Sequence, residues 1–302
     1  MSEQNPRPLD GKVAVVTGAG RGLGRAEALH LAELGARVLV NDFGVALSGD
    51  REEEQPAQQV VDEIVGAGGE AVAHLGDVAD WDDSKALIDL AIEHFGDLHI
   101  VVNNAGIIRD RMIFNMGEDE WDAVIRVHLK GHFCVTRWAT GYWREHSKAT
   151  GEPVYGRIIN TSSEAYLIGS PGQPNYAAAK SGIVALTMAA ALPLYKYGVT
   201  ANAICPRAAT RMTEEIGLDA EAFSPENVAP LVAYLASPAA ARVSGQVFVV
   251  YNGTVQVVAG PTIGERFDTE GRWTVDGLAD ALGPMFDKRE VTEGYVMPFE
   301  GN

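Results

Sequence analysis

A tyrosine and a lysine four residues apart, Tyr176 and Lys180, are the first candidates for chemistry. On a helix that separation places both side chains on one face, one turn apart. A free phenol titrates near pH ~10, and a base useful at neutral pH needs a preference for the phenolate of roughly 4 kcal/mol. A neighbouring ammonium acts in that direction. Thirteen residues before Tyr176 stands Ser163, preceded by Ser162, just past a strand expected at 157–161. A hydroxyl at such a strand end can hydrogen-bond a substrate oxygen as charge develops on it. By chemistry alone Ser162 and Ser163 are equally suited.

A second constellation lies near the N-terminus. Thr17-Gly18-Ala19-Gly20-Arg21-Gly22-Leu23-Gly24 separates a short β-branched run, Val13 to Thr17, from a helical pattern beginning near Leu23. Glycines there let the backbone turn tightly and approach a pyrophosphate, and the helix start offers free N–H groups and a positive dipole end. The strand before and the helix after are the context that gives such a loop meaning as a dinucleotide cradle. About twenty residues on, the next strand ends at Asn41-Asp42. An acid at Asp42 accepts hydrogen bonds from the adenosine ribose hydroxyls and repels a 2′-phosphate, which favours NAD over NADP. Arg21 argues the other way, since a cation in the loop can meet that phosphate. An oxidised nicotinamide would add a second positive charge beside Tyr176.

These residues need a scaffold, and the pattern supplies one. Strands are expected at 13–17, 37–41, 71–75, 98–103, 157–161, 200–204 and 246–250. Helices are expected at 23–34, 58–65, 82–95, 119–146, 175–195 and 225–236, with Gly35 closing the first. Strand-helix alternation at this spacing implies parallel strands with crossover helices in a doubly wound sheet. A polar stretch at 44–57 reads as a surface loop. Beyond Gly253 the alternation fails, and Gly and Pro punctuate the chain. Residues 254–302 read as an extension packed on the 9–253 domain or on a partner subunit, with one short helix at 274–282 capped by Thr274.

Taken together, the pieces resemble the short-chain dehydrogenase/reductase family. The matching motifs are Thr17-Gly-x-x-x-Gly22-x-Gly24, Asp77-Val78, Asn103-Asn104-Ala105-Gly106, Ser163 and Tyr176-x-x-x-Lys180, in the family's order over about residues 9 to 253. The resemblance implies an α/β Rossmann-like sheet of about seven parallel strands with helices on both faces. It implies Tyr176 as acid/base, Lys180 on the nicotinamide ribose lowering the tyrosine's pKa, and Ser163 on the substrate oxygen. It also implies cofactor contacts from Gly18, Arg21, Gly22, Leu23, Gly24, Asp42, Asp77, Val78, Asn104, Ala105, Gly106, Pro206 and Thr210. No metal is implied.

Two departures stand out. The family usually has a catalytic Asn where this chain has His128, which either takes over part of that residue's water-mediated proton relay or hydrogen-bonds the backbone. Pro-Gly after the sixth strand is replaced by Pro206-Arg207. Both departures, with Val40-Asn41-Asp42-Phe43-Gly44, Arg109-Asp110-Arg111, Arg126-Val-His128-Leu129 and Arg211-Met212-Thr213, resemble the (3R)-hydroxyacyl-CoA dehydrogenase unit of peroxisomal multifunctional enzymes, 17β-hydroxysteroid dehydrogenase type 4-like, and actinobacterial relatives. That likeness implies an NAD-dependent 3-hydroxyacyl-CoA dehydrogenase, with Arg109, Arg111, Arg207 and Arg211 as candidates to meet CoA phosphates. Alternatives are a 17β-hydroxysteroid dehydrogenase, a 3-oxoacyl carrier-protein reductase, or a non-catalytic dinucleotide sensor. A homodimer or homotetramer is implied as well.

Bulk properties narrow the classes. A formal net charge of −17 over 302 residues argues against nucleic acid and anionic membranes as partners. Two cysteines, Cys134 and Cys205, suit a reducing compartment and read as small buried residues. The polar N-terminus lacks a signal-peptide core, and the apolar stretch near 183–194 is too short to span a bilayer, so a soluble, cytoplasmic protein is expected.

Overall fold

A computed structural model of the protein describes residues 7–44, 55–210, 219–261 and 263–288. Its centre is a sheet of eight strands: β1 (Val13–Thr17), β2 (Arg37–Asn41), β3 (Ala71–His74), β4 (Ile100–Asn103), β5 (Gly156–Thr161), β6 (Val199–Pro206), β7 (Val247–Tyr251) and β8 (Thr254–Val257). They lie in the order β3-β2-β1-β4-β5-β6-β7-β8. The first seven are parallel, and every position of β1 is buried because helices cover both faces of the sheet. Its side chains alternate between two cores: Ala14 and Val16 join one, Val13 and Val15 the other.

An eighth strand extends the seven expected. Residues 254–257, read as the start of the extension, pair antiparallel with β7. A two-residue Asn252-Gly253 turn joins them, with φ of 35° and 73°. Two successive positive φ values suit a hairpin turn whose twist matches the strands, and Asn-Gly is its strongest sequence signal.

Six longer helices complete the layers: α1 (Gly22–Glu33), α2 (Pro56–Gly66), α3 (Trp81–Phe95), α5 (Gly131–Thr150), α7 (Pro174–Tyr195) and α8 (Ala229–Ala236), with shorter α4 (Glu118–Val124) and α6 (Ala165–Ile168). Helix α1 ends as its sequence demands. Gly35, at φ 101°, lets Gly35 N–H donate to the Ala32 carbonyl and Ala36 N–H to the Leu31 carbonyl. The helix expected at 119–146 is not uniform: α4 and α5 are joined by a π-helical turn over Ile125–Lys130. Such turns shift side chains off the 3.6-residue register and recur at functional sites. This one carries His128.

Helix α7 is long and apolar enough to cross a bilayer by length and composition, longer than the stretch at 183–194 suggested. Its polar residues explain its place here. Asn175, Lys180 and Thr187 are buried, and Asn160 Nδ2 of β5 donates to Thr187 Oγ1 at 2.8 Å. Asn160 Oδ1 in turn accepts from Asn103 Nδ2 of β4 at 2.9 Å, so buried amides hold α7 in register with the sheet.

This unit runs to Val258 and a second begins at Ala259. The second contains α9 (Val275–Phe286), whose N-cap Thr274 accepts from Gly277 N–H at 3.0 Å.

Candidate active site

The strand order places a crevice at the carboxyl ends of β1 and β4, where the chain's direction of winding reverses. The glycine loop lies there, and its close packing accounts for its composition. Gly18 has φ 61°, and a β-carbon on it would stand 2.7 Å from the Ala105 Cα. Gly22 has φ 54°, and a β-carbon on Gly24 would come 2.5 Å from Asn104 Nδ2. Thr17 Oγ1 accepts from the N–H groups of Asn104 and Ala105 at 3.0 and 3.2 Å, while Asn104 Nδ2 donates to the carbonyls of Thr17 and Gly18 at 3.1 Å each. Asn104 therefore fixes the loop rather than projecting its amide elsewhere. Arg21 is the extended residue preceding α1, whose first turn no side chain caps among the described residues, and Leu23 packs partly buried against the core. Uncapped N–H groups above a cradle that admits no β-carbon fit a diphosphate.

At the end of β2, Asp42 Oδ2 accepts from Gly20 N–H at 2.9 Å and Oδ1 accepts from Gly44 N–H at 2.9 Å. The carboxylate thus sits directly against the glycine loop. Asp77 is held on three sides: its N–H donates to Asp83 Oδ2 at 2.9 Å, Oδ1 accepts from Ala79 N–H at 2.8 Å, and Oδ2 accepts from Arg126 Nη2 at 2.6 Å. Val78 is buried, and its carbonyl accepts from Ser84 Oγ at 2.7 Å. Pro206 ends β6, and Thr210 Cγ2 lies 3.5 Å from where a β-carbon on Gly22 would be. The remaining polar stretch at 45–54 and Arg211 to Thr213 lie outside the described residues.

The residues singled out for acid/base chemistry converge at the ends of β5 and α7. Lys180 is 2 % exposed, donates from Nζ to the Thr161 carbonyl at 2.6 Å, and stands 5.3 Å from the Tyr176 ring centroid. Ser163 Oγ accepts from Ala165 N–H at 3.2 Å, and its hydroxyl acts on Tyr176 to lower the phenol's pKa. Ser162 is different: it is buried and donates to the Lys180 carbonyl at 2.9 Å. The two serines that chemistry alone left equal are separated by the direction each faces.

Burial weighs on both titratable groups of the site. Burial pushes the Tyr176 phenol up to about 12, with the Ser163 hydrogen bond acting in the opposite direction. Burial pushes the Lys180 ammonium down to about 7. Burial thus opposes ionisation of both groups, the phenolate and the ammonium.

His128 lies edge-on to Tyr176, with ring centroids 5.2 Å apart and planes at 88°. Its Nε2 is 2.7 Å from the Ile107 carbonyl and 3.1 Å from the Ile107 N–H. Nδ1 is buried and without a partner among the described residues. Burial and the nearby Lys180 charge keep the ring neutral. Gly106 is a glycine because the ring fills the place of its side chain: a β-carbon there would be 2.9 Å from His128 Nε2.

Of the arginines proposed for CoA phosphates, two already face carboxylates. Arg111 Nε donates to Glu120 Oε1 at 2.9 Å, and Arg207 donates from Nε and Nη2 to Glu164 at 2.5 and 2.7 Å. Arg109 Nη1 donates to the Ile108 carbonyl at 2.7 Å. Cys134 and Cys205 are free, buried thiols, and burial pushes Cys205 up to about 12.

One positioning residue has no periodic signal in the sequence. Asn175 is fully buried, donates from Nδ2 to the carbonyls of Arg109 and Glu120 at 2.9 and 3.0 Å, and accepts Tyr176 N–H at 2.7 Å. It ties the start of α7 to the segment after β4. Its adjacency to Tyr176 was visible, but not its partners, which lie over fifty residues away.

A doubly wound sheet with a diphosphate cradle at its switch point, and a tyrosine, lysine and serine gathered beside it, defines a nicotinamide-dependent oxidoreductase acting on CH–OH groups. The chain belongs to the short-chain dehydrogenase family, whose model matches residues 12–221. It is 51 % identical to the hydroxyacyl-CoA dehydrogenase ChsB1 of Mycobacterium tuberculosis, over 96 % of this chain and 93 % of that one. It is 47 % identical to the peroxisomal multifunctional enzyme type 2 of Drosophila melanogaster, over 75 % of this chain but 36 % of that longer protein. Its fold superposes on the crystal structure of a short-chain dehydrogenase from Mycobacterium avium with a TM-score of 0.85 and 51 % identity, covering 94 % and 97 % of the two chains.

Proposed function

We propose that this chain is an NAD-dependent dehydrogenase that interconverts a 3-hydroxyacyl-CoA, bearing a fatty or sterol side chain, and its 3-oxo form. The observation that carries the reading is the 51 % identity with a hydroxyacyl-CoA dehydrogenase over 96 % of the chain, together with the assembled Tyr176, Lys180 and Ser163. NAD is favoured by Asp42, whose negative charge beside the glycine loop repels a 2′-phosphate and whose remaining lone pairs suit ribose hydroxyls. Arg21 belongs to the same loop but does not change the sign of the Asp42 effect.

When bound, the dinucleotide supplies the acceptor for the substrate's hydride, or its donor in the reverse direction. The protein moves the proton. In reduction the Tyr176 phenol gives its proton to the carbonyl oxygen and is left as the phenolate, and in oxidation that phenolate takes the substrate hydroxyl proton and becomes the phenol again. Ser163 Oγ, oriented by Ala165 N–H, meets the same substrate oxygen. Lys180 has three donors, of which one is committed to Thr161, leaving two for ribose hydroxyls and for the space beside Tyr176. The reading includes a homodimer or homotetramer, supported by the exposure of Leu192 (85 %) on α7 and Phe133 (44 %) on α5.

The test is a substrate panel: 3-hydroxyacyl-CoA thioesters of several chain lengths, a 17β-hydroxysteroid and an acyl carrier-protein substrate, each with NAD and with NADP. The highest kcat/KM is expected for an acyl-CoA with NAD. A folded protein that reduces no NAD with any 3-hydroxyacyl-CoA would falsify the assignment.

A further inference from the structure

The family's Pro-Gly is Pro206-Arg207 here, and Arg207, one of the candidates for CoA phosphates, is engaged by Glu164 instead. Its surroundings supply a role. Arg207 holds Glu164 through two parallel hydrogen bonds of 2.5 and 2.7 Å, a bidentate pair with side chains 23 % and 15 % exposed. The guanidinium also lies 4.3 Å over the Tyr251 ring, which stacks on Phe223 with centroids 6.2 Å apart and planes at 20°. Its N–H donates to the Val250 carbonyl at 3.0 Å. The run Glu164–Arg207–Tyr251 therefore crosses the carboxyl ends of β5, β6 and β7, neighbours in the sheet.

What this run joins matters. Glu164 immediately follows Ser163, and Arg207 immediately follows Pro206 at the end of β6. Sheet pairing between the two segments ends with Ser162 N–H donating to the Ile204 carbonyl at 2.7 Å. Beyond that point the chain at Ser163 turns away into α6, where the Glu164 carbonyl accepts from Leu167 and Ile168. The side-chain bridge fastens the two departing loops at the position where the backbone ladder stops.

We propose that Glu164 and Arg207 form a positioning pair that fixes the Ser163 hydroxyl relative to the loop following β6, and so relative to the nicotinamide end of the cofactor. In this role the pair acts through Ser163 and Pro206. The proposal rests on the dehydrogenase reading. A planar fork and an aromatic stack give it a geometry that a lysine cannot reproduce, and a displacement of about 1 Å at such a site costs on the order of a hundredfold in rate.

The experiment compares Glu164→Ala, Arg207→Ala, Arg207→Lys and the double Glu164→Ala/Arg207→Ala variant of the full chain. Rates are taken with the best alcohol from the substrate panel, well below each variant's melting temperature. Each single alanine variant should lower kcat about tenfold to a hundredfold while changing KM for the alcohol less than about threefold, with Arg207→Lys intermediate. The double variant should be no slower than the slower single, because both remove one link. A second readout needs no substrate: the fluorescence of bound NADH should differ from wild type in all alanine variants. Wild-type kcat and unchanged NADH emission in the single variants would overturn the proposal, as would losses that multiply in the double variant. If wild type oxidises no acyl-CoA, the functional assignment falls, and the NADH emission still decides the role of the pair.

Discussion

Lys180 reaches past the Tyr176 ring, 5.3 Å from its centroid, to donate at 2.6 Å to the carbonyl of Thr161 at the end of β5. One side chain thus anchors α7 to the strand that delivers Ser163. Its position follows from the four-residue spacing and from a buried backbone acceptor that only the folded sheet provides.

Tyr176→Phe removes the hydroxyl and leaves the ring packed against His128. The expected outcome is a fall in kcat of about 10²- to 10⁴-fold, the usual worth of a positioned acid/base. Dinucleotide affinity measured by fluorescence titration should change little. Retention of full turnover would instead mark the chain as one whose Tyr176 does no proton transfer.

Asp42→Asn keeps an acceptor for Gly20 N–H and removes the charge. The ratio of kcat/KM with NAD to that with NADP should fall by about tenfold, chiefly through improved NADP binding. Steady-state kinetics with both dinucleotides read this directly, and an unchanged ratio would shift the discrimination to Arg21.

His128 hydrogen-bonds the backbone at Ile107 and also presents an unpartnered Nδ1 beside the acid/base pair. His128→Leu should lower kcat more than His128→Asn, which restores a polar side chain; a separation of about tenfold between the two is expected. Equal activity in both would confine His128 to packing under Gly106. Gly106→Ala serves as a control: its added methyl meets the imidazole and should lower activity in the wild-type background more than in His128→Asn.

Glu27, on α1, is fully buried with neither carboxylate oxygen partnered among the described residues, and burial pushes its pKa from 4.5 to about 8. The folded state therefore holds a proton that the unfolded chain releases above about pH 4.5. This residue's contribution to stability declines as pH rises from there to about 8, then levels off. Glu27→Gln should remove that decline, gaining on the order of a few kcal/mol over wild type at pH 8 and almost nothing at pH 4. Lys180 has the opposite slope: its native pKa of about 7 lies below the ordinary 10.5, so its contribution rises with pH between those values. Chemical denaturation across pH 4 to 9, on wild type and Glu27→Gln, isolates the Glu27 contribution.

Much of this was present in the linear chain. Short β-branched runs, the glycine loop, Gly35 and the Tyr176–Lys180 spacing are local signals, because backbone conformation and helical periodicity depend on residues within a few positions of each other. The β7–β8 hairpin is local too, written in Asn252-Gly253 just past the point where the crossover pattern ends. Other features are matters of tertiary structure. The partners of Asn175, the engagement of Arg207 by Glu164 and the depressed pKa of Lys180 join residues distant in sequence. Each depends on which groups the sheet order brings together and how completely they leave water, and desolvation is a property of the packed interior that no stretch of chain possesses alone.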